Sequence, residues 1–150
     1  MKPLTPAVLA LLLLAKLAHA GDNIHPEPGM WEQTTQLSAD QSHWRTMSNS
    51  RGCMSKEQAS DWENTARQQI AAAQCTVQNL SVAGGKLSGL VTCANVYQAQ
   101  MKLSGTYDGS RYDIDLVSTG TVPMPAPAGG KAVPVKLYGK WTGRLVGMCS

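Results

Sequence analysis

Two stretches of this chain alternate apolar and polar residues on either side of a tight, glycine-bearing turn, and that period of two commits its second half to antiparallel β structure. Residues 75–93, CTVQNLSVAGGKLSGLVTC, are two strand-like runs about Gly84 and Gly85, residues that tolerate the positive φ a tight hairpin needs. Residues 100–118, QMKLSGTYDGSRYDIDLVS, repeat the design about Asp108 and Gly109. With those two as the loop, Met101 faces Leu116, Leu103 faces Ile114 and Gly105 faces Tyr112. Each pair on that face is then apolar or an aromatic covering a glycine, which specifies the register.

The remaining segments fit around these hairpins. Residues 21–29, GDNIHPEPG, read as an extended lead-in, followed by weakly patterned strands at about 30–37 and 43–51. From Ser55 the period changes, with Ala59, Trp62, Ala66 and Ile70 at helical spacing and a capping box from Ser55 to Gln58. One helix is expected over residues 55–72, and Ser60 with Glu63 offers a second start that would break it near Ser60. Residues 121–134, TVPMPAPAGGKAVP, carry four prolines and two glycines and are expected to form a long loop. A last strand over residues 135–149 sets Val135, Leu137, Trp141, Leu145 and Cys149 on one face with Gly139, Gly143 and Gly147 between them, and Lys136, Tyr138, Lys140 and Arg144 on the other. The fold class is mainly β (α+β): a curved antiparallel sheet or partly closed barrel of about seven strands with one helix.

Residues 1–20 read as a secretory signal peptide: a charged start at Lys2, a nine-residue apolar run over 7–15, and Ala18 and Ala20 flanking His19 as the cleavage site. The run is too short for a membrane span, which takes about 20 apolar residues, so no transmembrane segment is expected in the mature chain. The mature part, residues 21–150, is the length of a single domain. Losing Lys2 and Lys16 lowers the formal charge from +3 to +1, and with that balance a nucleic-acid partner is not expected.

Cys53, Cys75, Cys93 and Cys149 all follow the leader, an even count that implies two disulfides in an oxidising compartment. Their spacings of 22, 18 and 56 residues are not those of a zinc site. A continuous helix over residues 56–71 would be about 24 Å long, which disfavours Cys53 with Cys75. Cys75 and Cys93 face each other if residues 83–85 form a three-residue loop, and lie on opposite faces if only the two glycines turn. The pairing favoured is Cys75 with Cys93 and Cys53 with Cys149.

Candidate sites are few. His25 and His43 are the only histidines of the mature chain, and neither stands in a recognisable catalytic pattern. Asp108, Asp113 and Asp115 gather about the second hairpin without the spacing of a calcium loop. Lys136, Lys140 and Arg144 recur every four residues on one side of the last strand, a stripe that could meet an anionic envelope component or an acidic protein. It serves equally as the solvated face that keeps a strand from edge pairing. Trp31, Trp44, Trp62 and Trp141, in a chain without Phe, are read as core, although some could line a ligand pocket. No catalytic residue, metal site or cofactor is implied.

The order PGMWE (28–32), CMSKEQA (53–59), CTVQNLSVAGGKLSGLVTC (75–93), MKLSGTYDGSRYD (101–113) and TGRLVGMC (142–149) resembles domain-of-unknown-function family 3617, small exported proteins of Gram-negative bacteria. The resemblance spans nearly the whole mature chain and implies a periplasmic, mostly β domain with no activity to carry over. The expected function is a non-enzymatic periplasmic domain that binds a protein, an envelope component or a small ligand. Two alternatives are an inhibitor of an incoming hydrolase such as lysozyme, inserting the loop at residues 104–113, and a glycan-active enzyme that uses carboxylates.

Overall fold

The computed structural model describes residues 24–94, 98–123 and 130–150. The expected signal peptide lies outside the described residues. Seven strands, β1 (Gly29–Ser38), β2 (Arg45–Met54), β3 (Cys75–Ala83), β4 (Lys86–Ala94), β5 (Gln98–Tyr107), β6 (Arg111–Pro123) and β7 (Ala132–Gly147), form one antiparallel sheet in the order β2-β1-β7-β6-β5-β4-β3. The sheet is curved and does not close, so β2 and β3 are its two edges. Between those edges in sequence run α1 (Lys56–Ser60) and α2 (Trp62–Ala72), which therefore cross one face of the sheet.

Two helices stand where one was expected, and the break has a local cause. Asp61 leaves the helical region at φ −118° and ψ 62°; its own N–H closes α1 on the Glu57 carbonyl, and its carboxylate accepts from Asn64 N to open α2. The capping box of Ser55 and Gln58 starts α1 as its spacing implies. The break falls beside Ser60, but the Ser60 hydroxyl donates back to Glu57 O at 3.0 Å and caps nothing. Thr65 Oγ1 donates to Gln58 O at 2.8 Å and holds the two helices together across the break.

Register differs from expectation in both hairpins. Gly84 and Gly85, at φ 58° and 74°, make a two-residue turn with Ala83 opposite Lys86. That turn alone would put Cys75 and Cys93 on opposite faces, but a bulge at Gln78 adds one residue to β3 and brings Cys75 directly opposite Cys93. In the β5–β6 hairpin Tyr107 faces Tyr112, Leu103 faces Leu116 and Gly105 faces Ile114, two residues away from the expected pairing. The Asp108 carboxylate accepts from Ser110 N and Arg111 N at 2.7 and 2.9 Å, which lengthens the loop beyond Asp108 and Gly109. Because the shift is even, every side chain keeps its expected face.

The expected long loop over 121–134 is partly strand. β6 and β7 stay paired through Val122 opposite Val133 and Pro123 opposite Ala132, while residues 124–129 lie outside the described residues. Pro134 is tolerated because β1 joins β7 only from Tyr138 onward, so β7 has a single neighbour there. The disulfides are Cys53–Cys149 and Cys75–Cys93. The first staples the end of β2 to Cys149, two residues beyond the end of β7 and so outside the strand expected to run to it, across the start of β1.

The core lies between the helices and the inner face of the sheet. Tyr112 is its hub: its ring centroid is 5.6 Å from that of Trp31, 5.8 Å from Trp62 and 5.0 Å from Trp141. Trp31, Trp62 and Ile114 are buried, as the reading of tryptophan as core requires for Trp31 and Trp62. Tyr112 does cover a glycine, Gly143 on β7, where an added Cβ would overlap the phenol ring. Small residues beside large ones let the sheet curve around this cluster.

Candidate functional site

Pairing and alternation assign every strand residue to one of two faces. The outer face is polar, with Lys102, Asp113, Asp115, Lys136, Lys140 and Arg144 among its residues. The inner face runs Leu80, Gly89, Leu103, Leu116, Gly139 and Leu37 in one cross-strand row, and Val77, Val91, Met101, Ser118 and Leu137 in the next. On β1 and β3 to β7, no inward position among the described residues holds Asp, Glu, Lys, Arg or His.

The helices cover this apolar face over part of its length. Ala59, Trp62 and Ala66 sit buried against it at the Tyr112 end. Towards the C-terminus of α2, Gln69, Ile70 and Ala73 stand off the sheet and leave a groove of about 330 Å³. Its floor is Val91, Met101, Leu103, Leu116 and Trp141, with Thr35 and Cys75 at the sides. A second hollow of about 280 Å³ follows along β1, lined by Leu37, Ala39, Met47 and Leu137 with Asp40, His43 and Arg45 at its rim. Thr35 and Leu37 are successive inward residues of β1, so the two hollows lie in line. Between them the Leu37 and Leu116 tips rest over Gly139, 3.2 and 3.1 Å from where a Cβ would stand. The groove holds no charged group and no paired acid and base. What it can do is bury an apolar ligand.

The residues singled out from sequence fall elsewhere. Lys136, Lys140 and Arg144 share the outer face, and each has a neighbour: Lys136 Nζ lies 5.2 Å from the Tyr138 ring centroid, Lys140 Nζ lies 5.1 Å from that of Trp44, and Arg144 pairs with Glu32 at 3.1 Å. Arg51 also pairs with Glu32 at 3.0 Å, and hydrogen bonds from Arg51 first and Arg144 second hold the Glu32 carboxyl below its ordinary range. Asp108 is committed to its own turn, and its carboxyl is lowered chiefly by the Ser110 amide. Asp113 and Asp115 point outward from β6, with Asp115 opposite Lys140. Among the described residues no group of three potential ligands could hold a metal ion, and no helix is long and apolar enough to cross a membrane.

Of the four tryptophans, Trp141 reaches the groove floor and Trp44 packs on the outer face, its Nε1 donating to Gln41 O at 3.1 Å. His25 Nδ1 meets the Pro26 carbonyl at 3.0 Å. His43 sits beside Ser42 and Asp40, a trio resembling a nucleophile, a base and an orienting acid. The geometry is different, because Ser42 Oγ at 3.0 Å and Asp40 Oδ2 at 2.6 Å both address Nδ1, whereas a proton relay needs one ring nitrogen for each. Asp40 Oδ1 also accepts from the amides of His43 and Ser42, and the His43 amide first, then its ring, hold the Asp40 carboxyl far below the ordinary range. The trio braces the turn between β1 and β2. The loop at residues 104–113 is fastened at its tip, where Glu27 N donates to Gly109 O at 2.8 Å and Leu145 N to Ser110 O at 2.7 Å.

Reading from sequence missed the groove, and the signal was present: in six strands the inward residues are uncharged over their whole length, more apolar surface than two short helices can cover. The family model described as "Protein of unknown function (DUF3617)" matches residues 26–149. Comparison with curated proteins and with solved structures finds no match.

Proposed function

This chain belongs to the DUF3617 family of proteins of unknown function, and we propose that it is a non-enzymatic binding module that takes a small apolar ligand between α2 and the inner face of its sheet. One observation carries the reading: an inner face without charge on six strands is left open where α2 stands away from Met101, Leu116 and Trp141. Apolar surface left in water forgoes about 25 cal/mol per Å², and a ligand seated there recovers it. A concave, mostly apolar hollow between a helix and a sheet is also where small-molecule sites form. We assign the protein to the periplasm on its leader pattern, and the two disulfides fit an oxidising, extracytoplasmic compartment.

The test is titration of the purified protein with a neutral apolar dye such as Nile red. One saturable site is expected, with quenching or shift of tryptophan emission from Trp141. Ala73→Trp, a change at an exposed position facing the groove, is expected to abolish that site while leaving circular dichroism unchanged. Absence of saturable binding, or binding unaffected by Ala73→Trp, would overturn the reading.

A further inference from the structure

β2 adds one inner-face residue of a different kind. Its inward positions are Met54, Gly52, Ser50 and Ser48, then, after the bulge at Met47, Arg45 opposite Leu37. Arg45 is thus the only charged residue at an inward position on any of the seven strands, among the described residues. It lies at the outer end of the second hollow, beside Leu37 and Leu137. It is exposed, and none of the ion pairs among the described residues includes it. The carboxylate at the same rim, Asp40, is already occupied by His43 and by backbone amides.

Two apolar-floored hollows in line, parted only by the Leu37 and Leu116 side-chain tips and edged at the outer end by an unpaired guanidinium, complement a single-chain amphiphile with one negative head once those tips turn aside. We propose that the ligand is a long-chain fatty-acid anion, its tail in the groove under α2 and its carboxylate at Arg45; this rests on the groove reading above. The dimensions agree. A cavity of about 150 Å³ accepts one benzene ring, so 330 Å³ takes on the order of a dozen carbons, and the 280 Å³ second hollow has room for the rest of a long chain and its head. One line of hollows with one rim cation suits one chain and one carboxylate, not a two-chain lipid. Arg45 presents a planar fork of donors that matches a carboxylate.

The experiment displaces bound Nile red from the full-length mature protein with tetradecanoate, tetradecanol and shorter carboxylates, for native protein, Arg45→Gln, Arg45→Lys and Ala73→Trp. Tetradecanoate is expected to bind roughly threefold to fivefold more tightly than tetradecanol, the scale of an exposed ion pair. That advantage should vanish in Arg45→Gln, survive largely in Arg45→Lys and shrink in 1 M salt. Along the carboxylate series each added methylene should tighten binding roughly threefold to fourfold until the furrow is full. Equal binding of acid and alcohol, or an acid preference untouched by Arg45→Gln, overturns the fatty-acid assignment and leaves the apolar groove standing. Failure of every probe, the dye included, overturns both.

Discussion

Tyr112 shows how much one side chain can be asked to do here. Its ring touches three tryptophans and lies over Gly143, while its hydroxyl is buried with no well-aligned hydrogen bond among the described residues. Burial pushes the phenol well above its ordinary pKa, with the Trp141 indole only partly offsetting that. Two substitutions separate these roles. Gly143→Ala should destabilise the protein by about 1–3 kcal/mol, since the new methyl must displace the ring. Tyr112→Phe should be neutral or stabilising by up to about 1 kcal/mol, because it removes a buried hydroxyl whose one nearby group, the Trp141 indole, is poorly aligned with it. Urea unfolding midpoints measure both, and a loss above 1 kcal/mol for Tyr112→Phe would mean that the hydroxyl is satisfied. That an aromatic would cover a glycine was legible from alternation. Which glycine was not, because the loop length that sets the pairing depends on the Asp108 carboxylate capturing two backbone amides.

Among the elements, the clearest departure is the pair of helices. Helical spacing continues from Ala59 to Ile70 without interruption, so periodicity alone reads one helix. Asp61 interrupts it because a short carboxylate competes with the helix for Asn64 N, a contest that spacing does not record. Asp61→Ala should remove the cap and lower stability by about 0.5–2 kcal/mol, with Asp61→Asn retaining most of it. Chemical denaturation of the three proteins checks this, and equal loss for Asn and Ala would reject capping as the reason. The edge strands make a second point. β2 and β3 each carry a bulge, at Met47 and Gln78, and a bulge in an edge strand breaks the flat ladder that another chain could extend. A bulge leaves no composition signal, yet it decides whether Cys75 can meet Cys93 and on which face Arg45 lies.

On the scale of the molecule, the two disulfides differ in burial and in the loops they close. Cys75 and Cys93 are buried, whereas Cys53 and Cys149 are exposed and join residues 96 apart. Mild reduction of the native protein should open Cys53–Cys149 first, read by alkylation and peptide mapping, and release a loop whose closure is worth about 4–5 kcal/mol on a chain-entropy model. The reverse order would contradict this assignment of exposure. The strand count, the alternation of faces, the positions of both hairpins and the presence of two disulfides were readable in advance, because each follows from local chemistry: period, turn residues and redox context. The favoured cysteine pairing matches the structure, but it rests on the bulge at Gln78 and on a contact 96 residues apart. The union of β1 with β7, the passage of the helices from one edge of the sheet to the other, and the line of two hollows with Arg45 at its outer rim were not readable in advance. These depend on contacts between residues far apart in the chain, and no local preference encodes which distant surfaces will meet or how much apolar face two short helices will leave bare.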